Sequence, residues 1–140
     1  MIHEFQGYYR PFSNFWTIQI EFEGDYYPST ENAYQAAKCA NREDRQKFFN
    51  IRPSEAKALG KPGVLPKRKD WHEVNLQIMY ELNKQKFEAN FLKSLLLSTG
   101  DEILQEGNTW GDTFWGVCNG KGENNFGKIL MRIRSELRNA

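Results

Sequence analysis

Four side chains that could do chemistry recur at helical spacing between Ser29 and Lys38, a segment that reads STENAYQAAK. Residues three, four and seven positions apart lie on one face of an α-helix. Glu31, Tyr34, Gln35 and Lys38 therefore form one stripe, which combines a carboxylate, a phenol, an amide and an amine. A carboxylate can move protons, and an uncharged amine can act as a nucleophile. The stripe is a candidate reactive site.

A second interpretation of this stripe is an ordinary solvated face, because charged residues are mostly exposed in folded proteins. The segment itself has the signals of a helix start. Pro28 precedes it, and the hydroxyl of Ser29 or Thr30 can cap the first turn. Four alanines, at positions 33, 36, 37 and 40, lie on the other faces and allow neighbouring elements to approach closely.

A β-hairpin is predicted directly before this helix. Ile18, Ile20 and Phe22 alternate with polar residues, which is the period of a half-buried strand. Gly24-Asp25 breaks the strand, and the two following tyrosines can return as its partner. Upstream, Ser13-Asn14 is typical of a turn, although a loop that holds a ligand with Asn14 would look the same.

Helices are predicted after the central one as well. Pro53 and Gly60 delimit a short helix, and Asp70 opens a longer one with a capping-box spacing to Glu73. The segment 61–69 between them must be a loop, and its four basic residues either bind phosphate or keep the surface soluble. Trp71, at the helix start, can pack in the core or face a ligand. A last helix is expected over residues 125–138.

The stretch from Gly107 to Gly122 is rich in Gly, Asn, Asp and Trp. A loop of that length in a small domain is usually functional or disordered, and its aromatic residues argue against disorder. We therefore expect a packed loop that presents Asp112 and Trp115. A short strand is expected just before it, from Asp101 to Glu106.

Composition limits the class of protein. The chain has 140 residues, 39% of them hydrophobic and 14% aromatic, with a net charge of +1. These values predict one soluble domain over residues 1–140 and argue against a dedicated nucleic-acid clamp. Two cysteines and two histidines, without metal-ligand spacing, predict neither a disulfide framework nor a metal site. With no signal peptide or membrane span in view, we expect a cytoplasmic protein of the α+β class, mainly helical with a small β-sheet.

Seven short motifs in one order resemble the YbiA-like N-glycosidases, also called the NADAR family for its association with NAD and ADP-ribose. The motifs are Ser13-Asn14-Phe15, Glu31-x-x-Tyr34-Gln35-x-x-Lys38, Asp70-Trp71, Lys86-Phe87, Thr99-Gly100, Trp115-Gly116, and Gly122-x-Asn124-x-x-Gly127-Lys128-x-Leu130-Met131-x-x-Arg134. The resemblance covers nearly the whole chain. Two positions depart from it: Asn32 stands where the family usually has histidine, and Phe12 where it has leucine. Asn32 cannot titrate near neutral pH, whereas the glutamate and the lysine are intact.

The resemblance implies hydrolysis of the N-glycosidic bond between a phosphorylated ribose and a base. The substrate would be ADP-ribosylated guanine, as a nucleobase, a nucleotide or part of DNA or RNA, or else a phosphoribosylamino-pyrimidine intermediate of riboflavin synthesis. Our hypothesis makes Lys38 the nucleophile that holds the ribose as a Schiff base, with Glu31 moving protons and Asp112 as second carboxylate. The rival mechanism has Glu31 activate water while Lys38 binds phosphate.

The remaining residues of the stripe and motifs are candidates for substrate binding, with Trp71 and Trp115 stacking the base and the asparagines meeting ribose or phosphate. They are Arg10, Ser13, Asn14, Phe15, Tyr34, Gln35, Trp71, Trp115, Gly116 and Asn124. No cofactor and no membrane partner is expected. Two other function classes remain open at this point: a module that binds ADP-ribose without cleaving it, and a plain interaction module.

Overall fold

The computed structural model describes residues 1–140 and divides into two units. The central unit is Asn14–Lys86, and the discontinuous unit consists of Met1–Ser13 and Phe87–Ala140. Helices dominate both, each with a two-stranded sheet, which confirms the predicted α+β class. The expectation of one domain over residues 1–140 stays a prediction. None of the helices has the length and apolar character needed to cross a membrane.

The central unit begins with the predicted hairpin. Strand β1 (Thr17–Phe22) pairs in antiparallel fashion with β2 (Asp25–Ser29), and Ile20 is fully buried between the hairpin and its neighbours. The turn lies at Glu23-Gly24, where φ is 51° and 85°. Two successive positive φ angles match the twist of the strands, and glycine accepts one of them at no steric cost.

Four α-helices complete the central unit. They are α1 (Thr30–Ala37), α2 (Arg42–Arg45), α3 (Pro53–Leu59) and α4 (Trp71–Lys86), with a 3₁₀ turn at Gln46–Phe48. Helix α1 packs against both strands, α3 and α4. Its alanines 33, 36 and 37 are buried, so these close contacts use the small side chains that the sequence indicated.

The start of α1 is fixed by two side chains. Ser29 is the N-cap, since its Oγ accepts the backbone N–H of Asn32 at 3.0 Å. Asn32 is fully buried, and its amide donates to the carbonyls of Phe48 at 3.0 Å and Ile51 at 2.8 Å. Its Oδ1 accepts the Ser29 hydroxyl at 2.6 Å. Asn32 therefore ties α1 to the segment after α2 and has a structural task that needs no titration.

The start of α4 differs from its prediction. Asp70 does precede the helix, but its carboxylate pairs with Arg68, at 2.6 and 3.0 Å, and does not form the capping box. The N–H of Glu73 bonds instead to the backbone carbonyl of Asp70, at 2.9 Å. A guanidinium two residues away offers the carboxylate two charge-assisted hydrogen bonds, which is more than a single backbone N–H can offer.

The discontinuous unit consists of a 3₁₀ segment (Gly7–Phe12), helices α5 (Asn90–Ser98) and α6 (Asn125–Arg138), and two short parallel strands, β3 (Gly107–Asn108) and β4 (Val117–Cys118). Helix α5 packs on α6. Edge-to-face aromatic contacts join the rings of Phe5, Phe12, Phe87 and Phe126, with centroids 5.7 Å apart in each contacting pair. This geometry is the favourable one for aromatic pairs.

The predicted strand over Asp101–Glu106 is wrong. Within this segment only Leu104 forms a β-bridge, and its partner is Ile2. A strand does not form because the side chain of Asn124 bonds to the backbone of the segment. The amide of Asn124 donates to the Leu104 carbonyl at 2.9 Å and accepts the N–H of Glu106 at 3.0 Å. On this edge a side chain takes the hydrogen bonds that a partner strand would otherwise make, while Ile103 and Gln105 on the other edge bond to the backbone of Ile2.

We predict that Asn32→Ala lowers the free energy of unfolding by about 2 to 4 kcal/mol, because two buried carbonyls lose their donor. Chemical denaturation of both proteins measures the difference. Gln77→Ala is the control, since Gln77 is exposed and bonds only to Glu81 one turn away. Equal unfolding midpoints for Asn32→Ala and the unsubstituted protein would contradict the structural task of Asn32.

Candidate active site

The stripe on α1 lies inside the protein. All eight residues of the helix are buried, with Glu31 only 8% and Gln35 6% exposed. The alternative of a solvated face is therefore wrong for Glu31, Tyr34 and Gln35, whereas Lys38, the residue after the helix, is half-buried. Buried polar groups need partners, because desolvation without a hydrogen bond is unfavourable.

The carboxylate of Glu31 is held in place by its neighbour one turn later. The Gln35 amide Nε2 donates to Glu31 Oε2 at 2.7 Å. The Glu31 backbone N–H, unpaired within the first turn, donates to the carbonyl of Asn14 at 2.9 Å. A carboxylate near a helix N-terminus also interacts favourably with the helix dipole. Glu31 is therefore a carboxyl group held in one orientation.

Lys38 follows directly after α1 and lies against aromatic rings. Its Nζ is 5.5 Å from the centroid of Tyr34 and 6.0 Å from that of Trp71, and these two rings are 5.1 Å apart. The same Nζ donates to the carbonyl of Gly60 at 3.4 Å, which is a long bond. Lys38 thus lies in a partly desolvated aromatic corner of the central unit.

This environment shifts the protonation equilibrium of Lys38. Burial lowers its pKa, the carboxylate of Glu31 acts in the opposite direction, and the positive charge of Lys67 lowers it further. The net effect is a pKa below the usual value for lysine. A larger share of the amine is then neutral at physiological pH, which is the form that attacks carbon.

Gly60 is a site residue that the sequence indicated only as a helix end. Besides accepting from Lys38, it lies against Gln35, and a Cβ at this position would be 2.0 Å from Gln35 Oε1. Its φ of −82° suits any residue, so the need for glycine is steric. A glycine at the end of α3 is the only signal in the sequence, and it does not distinguish close approach from helix termination.

Asn14, a predicted ligand contact, makes its bonds inside the central unit. Its Nδ2 donates to the sulfur of Met79 at 3.3 Å, and its Oδ1 accepts from Asn83 at 3.4 Å. The turn predicted around it is present. Through its backbone carbonyl, Asn14 also holds Glu31. Direct contact of Asn14 with substrate stays a prediction, as does that of Phe15 and Trp71, which are half-buried in the same unit.

The other predicted site residues belong to the discontinuous unit: Arg10, Ser13, Asp112, Trp115, Gly116 and Asn124. Arg10 is exposed and bonds to Gln6 at 3.3 Å. Asp112 organises the 107–118 loop, since its Oδ1 accepts the N–H groups of Phe114 at 3.1 Å and Trp115 at 2.9 Å. Its Oδ2 takes no part in these bonds. The catalytic and binding roles of this group stay predictions.

Asn124 and the nearby glycines form a closely packed backbone crossing. Asn124 adopts a left-handed φ of 55° and bonds to the 104–106 segment through its side chain. A Cβ at Gly116 would be 2.1 Å from the carbonyl of Glu106, and one at Gly127 would be 2.1 Å from that of Leu104. The Trp115-Gly116 motif and the motif from Gly122 to Arg134 therefore need their glycines and Asn124 for backbone packing.

The α+β fold and the stripe together define a class: a protein with a fixed carboxylate at the start of a buried helix and a partly desolvated lysine directly after its end. The family model for the NADAR domain matches residues 3–138. The chain belongs to the NADAR domain family, which confirms the resemblance found in its motifs.

Several relatives have curated names. An N-glycosidase of Nostoc punctiforme is 39% identical over 137 residues, covering 94% of this chain and 87% of that protein. N-glycosidase YbiA of Escherichia coli (strain K12) is 35% identical over 132 residues, covering 92% and 82%. The solution NMR structure of E. coli YbiA matches with a TM-score of 0.84 at 33% identity, over 98% of this chain and 83% of that one. These matches confirm, at the level of its class, the predicted hydrolase of N-glycosyl bonds.

A further relative has a different name. A riboflavin biosynthesis protein of Vibrio vulnificus is 34% identical over 128 residues, which cover 89% of this chain but 35% of that longer protein. The same domain thus occurs as a part of larger proteins.

We predict that Gly60→Ala lowers stability by about 1 to 3 kcal/mol, because its methyl group displaces Gln35. The double variant Gln35→Ala/Gly60→Ala also removes Gln35 Oε1, the atom with which the new methyl group clashes. A double-mutant cycle of unfolding free energies should therefore show a coupling of about 1 kcal/mol or more between the two positions. Additive effects would contradict the contact between Gly60 and Gln35.

Proposed function

We propose that the protein removes ADP-ribose from ADP-ribosylated guanine by hydrolysing the N-glycosidic bond, with Lys38 as nucleophile. The observation that carries this proposal is the pairing of a desolvated amine, whose pKa is lowered by burial, with a carboxylate that Gln35 fixes on the preceding helix α1. Hydrolysis through a covalent intermediate needs both groups. The names of the relatives support the reaction class.

The proposed reaction begins with the bond between the ribose anomeric carbon and the base nitrogen. As this bond breaks, its electron pair goes to the base nitrogen, which takes up a proton. The neutral amine of Lys38 forms a bond to the same carbon and then loses a proton. The bond from that carbon to the ring oxygen breaks next, the oxygen keeps the electron pair and takes up the released proton, and a protonated imine remains. Water adds to the imine carbon, the C–N bond to Lys38 breaks, and ADP-ribose leaves with the amine regenerated.

Glu31 has two tasks in this scheme. Positive charge develops on the anomeric carbon as the base leaves, and a fixed carboxylate stabilises it without having to reorganise. Afterwards Glu31 accepts a proton from the attacking water. The hydrogen bond from Gln35 occupies Oε2 and keeps the carboxylate in one orientation. Gln35 is thus a positioning residue.

A second candidate substrate is a phosphoribosylamino-pyrimidine intermediate of riboflavin synthesis. The relative named as a riboflavin biosynthesis protein favours it. The bond broken is of the same kind, so Lys38 and Glu31 would keep their roles. The base and the size of the ribosyl phosphate are what distinguish the two substrates.

Replacing Lys38 tests the covalent mechanism. We expect Lys38→Ala to lose at least about 100-fold in kcat on guanine-linked ADP-ribose, and Lys38→Arg to lose as much, since a guanidinium stays charged. Release of ADP-ribose is followed by chromatography. Borohydride added during turnover should attach the ribose to the unsubstituted protein, and peptide mass spectrometry should locate it on Lys38.

The control is Lys57→Ala, which removes an exposed lysine of helix α3. It should keep full turnover and full trapping. Near-normal turnover by Lys38→Ala would exclude the imine and favour direct attack by water activated by Glu31. If neither protein releases ADP-ribose although ADP-ribose raises the melting temperature, the phosphoribosylamino-pyrimidine is the next substrate to test, and a chain that cleaves neither is a non-catalytic binder.

Asp112→Asn tests the second carboxylate. The asparagine keeps an oxygen for the two backbone N–H groups, so the loop should fold normally, whereas the acid function is lost. If Oδ2 protonates the departing base, we expect kcat to fall by about 100-fold or more. Unchanged turnover with an unchanged melting temperature would leave Asp112 as a residue that only organises its loop.

A further inference from the structure

Two ammonium groups are anchored at neighbouring points of the same loop. Lys38 Nζ donates to the carbonyl of Gly60 at 3.4 Å, and Lys67 Nζ donates to the next carbonyl, that of Lys61, at 3.2 Å. Lys67 also donates to the carbonyl of Leu65 at 2.8 Å. Successive residues of a chain are only about 3.8 Å apart, so this arrangement brings two like charges close together.

The backbone fixes this arrangement from the other side. Cys39 lies opposite Lys67 in an isolated antiparallel bridge, and the N–H of Arg68 donates to the carbonyl of Lys38 at 2.8 Å. The segment that carries Lys67 is therefore tied to the residues that directly follow α1. The backbone at Lys67 therefore cannot move away from the backbone at Lys38 without breaking these hydrogen bonds.

The two amines differ in how well their charge is stabilised. Lys67 has two carbonyl acceptors, one of them at 2.8 Å, whereas Lys38 has one long bond and is largely removed from water. Hydrogen bonds to carbonyls favour the ammonium form, and desolvation disfavours it. When two like charges compete, the less stabilised group gives up its proton.

We propose that Lys67 is a positioning residue of the active site, whose fixed positive charge drives the neighbouring Lys38 to its neutral, nucleophilic form. Its role in catalysis rests on the proposed function, but its effect on Lys38 does not. The other groups that face Lys38 work in the opposite direction: Glu31 and the thiol of Cys39 raise its pKa, and the ring faces of Tyr34 and Trp71 attract its ammonium form. Burial and Lys67 are the two influences that lower it.

The test measures the titration of Lys38 directly. NMR of protein with ¹³C-labelled lysine follows the Cε signal of Lys38 across neutral and alkaline pH, and its loss in Lys38→Arg assigns it. We expect the midpoint to rise in Lys67→Gln, because a positive neighbour is removed, and to return in Lys67→Arg, which keeps the charge. Lys69→Gln removes an exposed charge from the same loop and should leave the midpoint where it is.

A Lys38 midpoint in Lys67→Gln equal to that in Lys69→Gln, with unchanged melting temperatures, would overturn the proposal.

Kinetics separate the effect of Lys67 on Lys38 from the proposed function. If Lys38 is the nucleophile, the rise of kcat/KM with pH should move upward together with the NMR midpoint in Lys67→Gln. If the NMR midpoint moves and the pH profile does not, the effect of Lys67 stands and the nucleophilic role of Lys38 fails. A higher KM with an unmoved midpoint would make Lys67 a phosphate ligand and would also overturn the proposal.

Discussion

The burial of helix α1 is the constraint on which the rest of the central unit depends. An eight-residue helix surrounded by two strands and two helices must place every polar side chain against protein. Glu31 is therefore paired with Gln35, Asn32 with two carbonyls, and Ser29 with the first turn. Packing that satisfies these groups also fixes their positions, so the rigidity of the carboxylate follows from the way the helix is buried.

Close backbone approach is the second requirement of the fold, and glycine meets it in both units. In the central unit Gly60 leaves room for Gln35, and in the discontinuous unit Gly116 and Gly127 let carbonyl groups come within reach of a helix and a loop. Asparagines next to these crossings bond to backbone groups that have no partner in a helix or strand. Asn124 does so for the 104–106 segment. Motif residues that resemble ligand contacts in the sequence thus also hold the fold together.

The sequence predicted those features that depend on local periodicity. The β1–β2 hairpin, the cap at Ser29 and the final helix follow from alternation, a hydroxyl and a 3.6-residue repeat, and the structure has all three. Gly60 and Lys67 were not predictable in this way, because their tasks depend on which loop lies beside Lys38. An amide side chain gives the same signal whether it binds backbone or ligand, so the tasks of Asn14 and Asn32 required the structure.

The chemistry proposed for this site contains an internal conflict that the structure helps to resolve. A carboxylate beside an amine keeps the amine protonated, yet the reaction needs the carboxylate charged and the amine neutral at the same time. Burial acts against the ammonium, and the charge of Lys67 adds to that effect. Glu31 is held separately, by Gln35 and by the carbonyl of Asn14 at the start of the helix, so its position does not depend on Lys38. The carboxylate at the start of α1 and the amine that follows its end can therefore keep the separate roles proposed for them.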